Sequence, residues 1–290
     1  MIKLTFEMYP EDGRIKPYEH PYGYVFRGVI MKWLHEIKPE LVHVFHEREE
    51  IRPYAVNYII HKKVPKLEFM LTTYSDDLND ALLGDIISNE KASLTLGQKQ
   101  YYISKIQFER INPGTFLEGA QPVKTFHIRF FRPVAFNTGM GDYPVRFPIP
   151  LIFFGNLANI WNDILKGTTE VSREHLLNWT NAHVYVSSYE MKTVRVEIGK
   201  PRPVVGGLGR LSYRVSKLNK LFYKHLLEEA QRQYDYEYVN ADYESNCCWL
   251  EALCKLGAYT NVGVNRTAGM GVMGYFPKEY LSEMDFLVKD

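Results

Sequence analysis

Apolar and polar residues alternate from Ile2 to Tyr9, the two-residue period of a half-buried strand. From Tyr22 the period lengthens. Tyr22, Phe26, Val29, Ile30, Trp33, Leu34 and Ile37 fall at steps of three and four, which predicts a helix. Lys38-Pro39 interrupts it, and Pro39 suits the first turn of a second, short helix that ends at His46. Aromatic and branched residues predict strands over 52–60 and 66–74. Asp76 is the expected N-cap of a helix over 77–87. Strands at 92–96 and 99–110 follow, joined near Gly97-Gln98. Strand, helices, two strands, helix and closing strands are the split βαβ order of a ferredoxin-like domain.

Asn112-Pro-Gly and Gly119 mark a boundary. Beyond it the pattern predicts a strand at 122–136, a loop with Gly139 and Gly141, a helix at 151–165 and a helix capped by Ser172 that runs to 181. Strands are expected at 183–189, 192–198 and 208–215, then helices at 216–233 and 247–256 and a last strand at 271–276. Strand–helix–strand–strand–helix–strand thus recurs without a visible sequence repeat. The expected class is α+β: two tandem ferredoxin-like (RRM-like, βαββαβ) domains, 1–118 and 119–290, with a glycine-rich loop near the C-terminus.

Composition narrows the function classes. A hydrophobic fraction of 46% over 290 residues belongs to a folded globular protein. Runs of about 18 apolar residues are absent, so no membrane helix is expected. The N-terminus reads as a strand and not as a signal peptide. Cys247, Cys248 and Cys254 lack disulfide or zinc spacing and read as reduced thiols in a cytoplasmic protein. Net charge is +1, but its distribution is uneven. Lys192, Arg195, Lys200, Arg202, Arg210, Arg214, Lys217, Lys220 and Lys224 stand against Glu197 alone, nine positive to one negative. A polyanion bound on one face would account for this, as would a solvated basic face.

Candidate chemistry lies at the two ends of the chain. Gly263, Gly269, Gly271 and Gly274, with Asn265, Arg266 and Thr267 between them, follow a helical run. Such loops bring backbone close to a partner group, often a phosphate. Gly269-Met-Gly-Val-Met-Gly274 matches Gly-x-Gly-x-x-Gly, but a dinucleotide fingerprint needs a strand before it and a helix after it. Here a helix precedes and Tyr275-Phe-Pro277 follows, so a nucleotide-binding oxidoreductase is disfavoured. His43 and His46 are three apart, with no third metal ligand at suitable spacing and no zinc-protease motif. His46, at a helix end shortly before Arg52, has the position to handle protons beside a phosphate.

Three segments resemble the CRISPR-associated RAMP endoribonucleases that cut repeat RNA into guide RNAs, the Cas6 family. They are the loop Gly263-Val-Asn-Arg-Thr-Ala-Gly-Met-Gly271, the helix pair from Gly28 to Phe45-His46-Glu47, and Pro148-Ile-Pro-Leu-Ile-Phe-Phe-Gly-Asn156 with Trp161. The loop is shared by other RAMP proteins; the loop together with Phe45-His46 is more specific. The resemblance implies an endoribonuclease that needs no metal and no cofactor, in which a ribose 2′-oxygen attacks the adjacent phosphorus. The products would be a 2′,3′-cyclic phosphate and a 5′-hydroxyl. It puts the catalytic histidine on His46, and Arg52 where some members carry a catalytic lysine. Many members have a tyrosine in the first helix where this chain has Met31, so His46 is expected to carry the proton transfer alone or with a nearby tyrosine such as Tyr22, Tyr24 or Tyr54. Repeat RNA is the implied partner, contacted by Lys192, Arg195, Lys200, Arg202, Arg210 and Arg214 on a hairpin and by the glycine-loop residues. Other Cas proteins of an effector complex and a second copy of the chain are further candidate partners. The alternative reading is a RAMP subunit that binds guide RNA without cutting it.

Overall fold

The computed structural model describes residues 1–15, 22–46, 51–61, 63–89, 92–138, 143–196, 203–217 and 242–277, with side chains at 43–46 and 89 outside the description. The N-terminal half contains β1 (Ile2–Pro10), α1 (Tyr22–Ile37), α2 (Pro39–His46), β2 (Tyr54–Ile60), β3 (Leu67–Thr73), α3 (Asp76–Asn89), β4 (Ser93–Leu96) and β5 (Lys99–Arg110). They form an antiparallel sheet in the order β2-β3-β1-β5-β4. The alternation in β1 directs Leu4, Phe6 and Met8 into a core shared with Phe26, Ile30, Trp33 and Leu34 of α1. Phe6 stacks on Phe69 at 5.5 Å and meets Trp33 edge-on at 6.2 Å. Each such ring removed from water contributes about 1.5–3 kcal/mol. The Trp33 indole satisfies its N–H on Asp85, 2.6 Å away.

The C-terminal half contains α4 (Gly114–Glu118), β6 (Thr125–Val134), α5 (Pro150–Ile164), α6 (Arg173–His183), β7 (Val184–Val196), β8 (Val204–Val215), α7 (Tyr243–Thr260) and β9 (Met273–Pro277). The sheet order is β7-β8-β6-β9, all antiparallel. In both sheets the first strand lies between the third and the closing strand, the ferredoxin-like arrangement expected from element order. The second core gathers Phe126, Phe153, Phe154, Trp161 and Tyr213, which are fully buried, around α5 and α7. α4 rests on this core, with Phe116 stacked on Tyr259 at 5.6 Å. Among the described residues, no helix is long and apolar enough to cross a membrane.

Four local expectations change. The two strands expected at 183–189 and 192–198 are one strand, β7, because Glu190 and Met191 stay paired with Arg210 and Gly209. A bulge at Val186/Ser188 absorbs the irregularity. Gly206 and Gly207 lie inside β8 and not in a loop. A Cβ on Gly207 would sit 2.2 Å from the Arg146 carbonyl oxygen, so the strand passes where only glycine fits. Asn112-Pro-Gly opens the short helix α4, with the Asn112 side chain accepting the Gly114 N–H at 3.1 Å. Asp76 lies in the first turn of α3 and not before it, where its charge still favours the helix dipole. Ser172 caps α6 as expected, accepting the His175 N–H. The expected helix over 216–233 falls almost wholly outside the described residues.

Candidate active site and nucleic-acid interface

The glycine-rich loop leaves α7, makes a single 3-10 turn over Arg266–Ala268 and enters β9. Its close backbone contacts are to the protein itself. A Cβ on Gly23 of α1 would lie 1.9 Å from the Ala268 carbonyl oxygen. One on Gly271 would lie 1.8 Å from the Val262 carbonyl oxygen, at a φ of +64° that already favours glycine. Val264 N–H donates to Ala135 O beside β6 at 2.8 Å, and Gly263 N–H donates to the Asn156 side chain at 2.8 Å. Asn261 reaches across to the Val56 carbonyl in β2, also at 2.8 Å. The loop is therefore wedged between α1 and β2 of one sheet system and β6 of the other. Arg132 of β6 adds a second link, donating to Tyr58 O at 3.3 Å with its guanidinium 4.1 Å from the Tyr58 ring.

The polar residues of the loop differ in what they present. Arg266 is 8% exposed. Its guanidinium donates to the Tyr74 hydroxyl at 2.8 Å, to Thr260 O at 3.1 Å and to Arg52 O at 3.5 Å. Thr267 is also buried, and its hydroxyl accepts from the Arg52 guanidinium at 3.4 Å. Asn265 stays half-exposed, while its backbone carbonyl accepts from Ala268 and Met270. Gly263 is half-exposed; Gly269 and Gly271 are buried.

Arg52, half-exposed just before β2, meets this loop on two sides. Burial, and after it the charge of Arg27, lowers its pKa below the usual arginine range. Arg27, Tyr54, Arg266 and Tyr24 are among its charged and titratable neighbours. Arginine stays protonated through such shifts, so Arg27, Arg52 and Arg266 gather positive charge here. Sequence reasoning did not single out Arg27, which lies one turn beyond Gly23 on α1. No motif marks it, because its proximity to Arg52 is tertiary.

The three candidate tyrosines separate by environment. Tyr22 and Tyr54 are buried in the N-terminal core, and burial raises the pKa of each. Tyr24 is half-exposed; burial raises its pKa, while Arg27 and Arg52 pull it down. Met31 packs against the N-terminal core. His46 is the last residue of α2, and its side chain lies outside the description.

The basic segment lies on β7 and β8. Cross-strand pairs Lys192–Leu208, Glu190–Arg210 and Tyr185–Arg214 put Lys192, Arg210 and Arg214 on one face. Arg195 pairs with Val205 and points to the other. Lys200 and Arg202 lie outside the described residues. On the first face Arg129 of β6 joins the arginines, and Glu190 holds Arg210 at 3.0 Å. A groove of about 430 Å³ there is lined by His127, Arg129, Glu190, Arg210, Ser212 and Phe276, among others.

The model of the family described as CRISPR-associated endoribonuclease Cas6 matches residues 128–273, half of the chain. The chain belongs to that family. The Cas6 match begins in β6 and ends at the start of β9, so it takes in the hairpin, α7 and the glycine loop; His46 and Arg52 lie outside it. Among solved structures, the product complex of Thermus thermophilus Cas6 (TTHB231) superposes with a TM-score of 0.71 at 18% identity, covering 95% of this chain and 99% of that one. The product complex of Cas6 (TTHA0078) gives 0.67 at 16% identity, with 95% and 99% covered. A Cas6-related protein from Pyrococcus furiosus gives 0.51 at 9% identity, with 96% and 99% covered. These likenesses establish the tandem ferredoxin-like fold over nearly the whole Cas6 chain. No curated protein matches it.

Proposed function

We propose that this Cas6-family endoribonuclease cleaves CRISPR repeat RNA without a metal, by attack of a ribose 2′-oxygen on the adjacent phosphorus. The observation that carries the reading is the pair of cations beside half-exposed Tyr24: Arg27, on α1 with Tyr24, and Arg52, on the stretch of chain that follows α2 and His46. His46 takes the 2′ proton. The 2′-oxygen bonds to phosphorus as the bond to the 5′-oxygen breaks. Arg52, with Arg27, stabilises the negative phosphorane. Tyr24, whose phenol burial keeps protonated, gives its proton to the departing 5′-oxygen. The products are a 2′,3′-cyclic phosphate and a 5′-hydroxyl. DNA lacks the attacking group and is not a substrate. The units 1–118 and 119–290 each supply one wall of the RNA path, with Lys192, Arg210 and Arg214 pairing phosphates. TTHB231 and TTHA0078 were each solved as product complexes, TTHA0078 also as a substrate-mimic complex, and a further similar structure is a RAMP protein binding different RNA substrates, which supports an RNA ligand.

The test is cleavage of the host's repeat RNA in EDTA, with the product ends analysed. Cutting at one position with a cyclic phosphate is expected, and a single 2′-deoxy substitution at that position abolishes it. His46→Ala lowers the rate about 10²–10⁴-fold with RNA still bound. Cleavage that requires added metal, or a His46→Ala protein cutting at the wild-type rate, sinks the mechanism. Tight binding with no cleavage supports a guide-RNA-binding subunit instead.

A further inference from the structure

Arg266 and Thr267 hold Arg52 from the opposite half of the chain. Thr267 accepts from the Arg52 guanidinium at 3.4 Å. Arg266 donates to the Arg52 carbonyl at 3.5 Å, and the same carbonyl accepts the Tyr74 hydroxyl. Tyr74 in turn accepts from Arg266 at 2.8 Å, and Arg266 is anchored on the last turn of α7 through Thr260 O at 3.1 Å. Both the backbone and the side chain of Arg52 are thus tied to one turn of the glycine loop. That turn is itself fixed against α1 by the contact of Gly23 with Ala268, on the helix that carries Tyr24 and Arg27.

Two arginines near each other repel, and a half-exposed guanidinium on a flexible stem has many rotamers. Buried, geometrically fixed acceptors and donors remove that freedom. Such support is what a group stabilising a transition state needs, because a misplacement of about 1 Å costs about 10²-fold in rate. We propose that Arg266 and Thr267 are positioning residues that set Arg52 for the reaction, and that they do so in place of touching RNA. The glycine loop then couples the RNA-binding C-terminal half to the reacting group of the N-terminal half. This rests on Arg52 acting on the scissile phosphate.

The experiment is a double-mutant cycle on single-turnover cleavage of the repeat RNA, with RNA Kd and thermal unfolding measured alongside. Thr267→Val removes the hydroxyl and Thr267→Ser keeps it; Thr267→Ala replaces the valine variant should valine not fit the seam. In the wild-type background the loss of the hydroxyl is expected to slow cleavage about tenfold, with Kd within about twofold and serine restoring the rate. In an Arg52→Ala background the same change has no further effect. Equal slowing in both backgrounds, a change in Kd alone, or an unchanged rate overturns the inference while leaving the role of Arg52 intact. An Arg52→Ala protein that cuts at the wild-type rate overturns both, and that arm is read independently of Thr267.

Discussion

The glycine-rich loop and the β7–β8 hairpin both carry arginine, and they put it to opposite use. Arg266 in the loop is buried, and its hydrogen bonds go to Tyr74, Thr260 and Arg52. Arg210 in the hairpin has 58% of its side chain exposed and pairs with Glu190, whose side chain is 77% exposed. An exposed pair of this kind is worth about 0–1 kcal/mol, so phosphate can displace the carboxylate at little cost. Breaking the Arg266 contacts would instead strand a buried charge, which costs about 3–5 kcal/mol. The same residue type is architecture in one place and a contact surface in the other. Charge along a chain becomes charge toward a ligand only where the fold leaves it exposed.

The largest expected effect breaks the loop. Gly271→Ala drives a Cβ into the Val262 carbonyl at a left-handed φ and is expected to lose about 3 kcal/mol of stability, read from denaturant unfolding. A tolerated alanine would mean that the loop is not wedged in the seam. Next comes the hairpin. Replacing Lys192, Arg210 and Arg214 together by alanine should leave unfolding nearly unchanged but lower the log–log salt slope of RNA binding by about 2–3, near 0.7–0.9 per phosphate contact. An unaltered slope would take this face away from RNA. Tyr24→Phe should then slow cleavage about tenfold without weakening binding, whereas Tyr22→Phe should not; equal effects would end the distinction between the half-exposed and the buried phenol. The smallest effect sharpens the comparison. Arg195→Ala, on the opposite face of β7, should change RNA affinity by less than about 0.5 kcal/mol by filter binding.

Much of the fold was legible because it is periodic. The alternation in β1, the three-and-four spacing of α1 and the break at Pro39 each read directly onto the observed elements. Errors arose where pairing partners, and not local pattern, decide. β7 runs through Glu190-Met191 because β8 lies alongside, and Gly206-Gly207 continue a strand because a neighbouring backbone passes too close for a side chain. The candidate site was legible only in part. The basic count began at Lys192 and so missed Glu190, which faces Arg210 across the ladder. Arg27 had no motif to mark it, since what distinguishes it is its place beside Arg52.

By itself the sequence determined the two runs of strand and helix, the turn residues that separate them and the glycine-rich segment, because period and backbone freedom are local properties. It also carried the resemblance that the family match over 128–273 bears out. Only the tertiary structure decided what the glycines approach. They admit the Ala268 carbonyl against Gly23 and seat Arg266 and Thr267 on Arg52, contacts made between residues more than two hundred positions apart. Steric fit and burial across such a seam depend on how two cores come together, which no local pattern encodes.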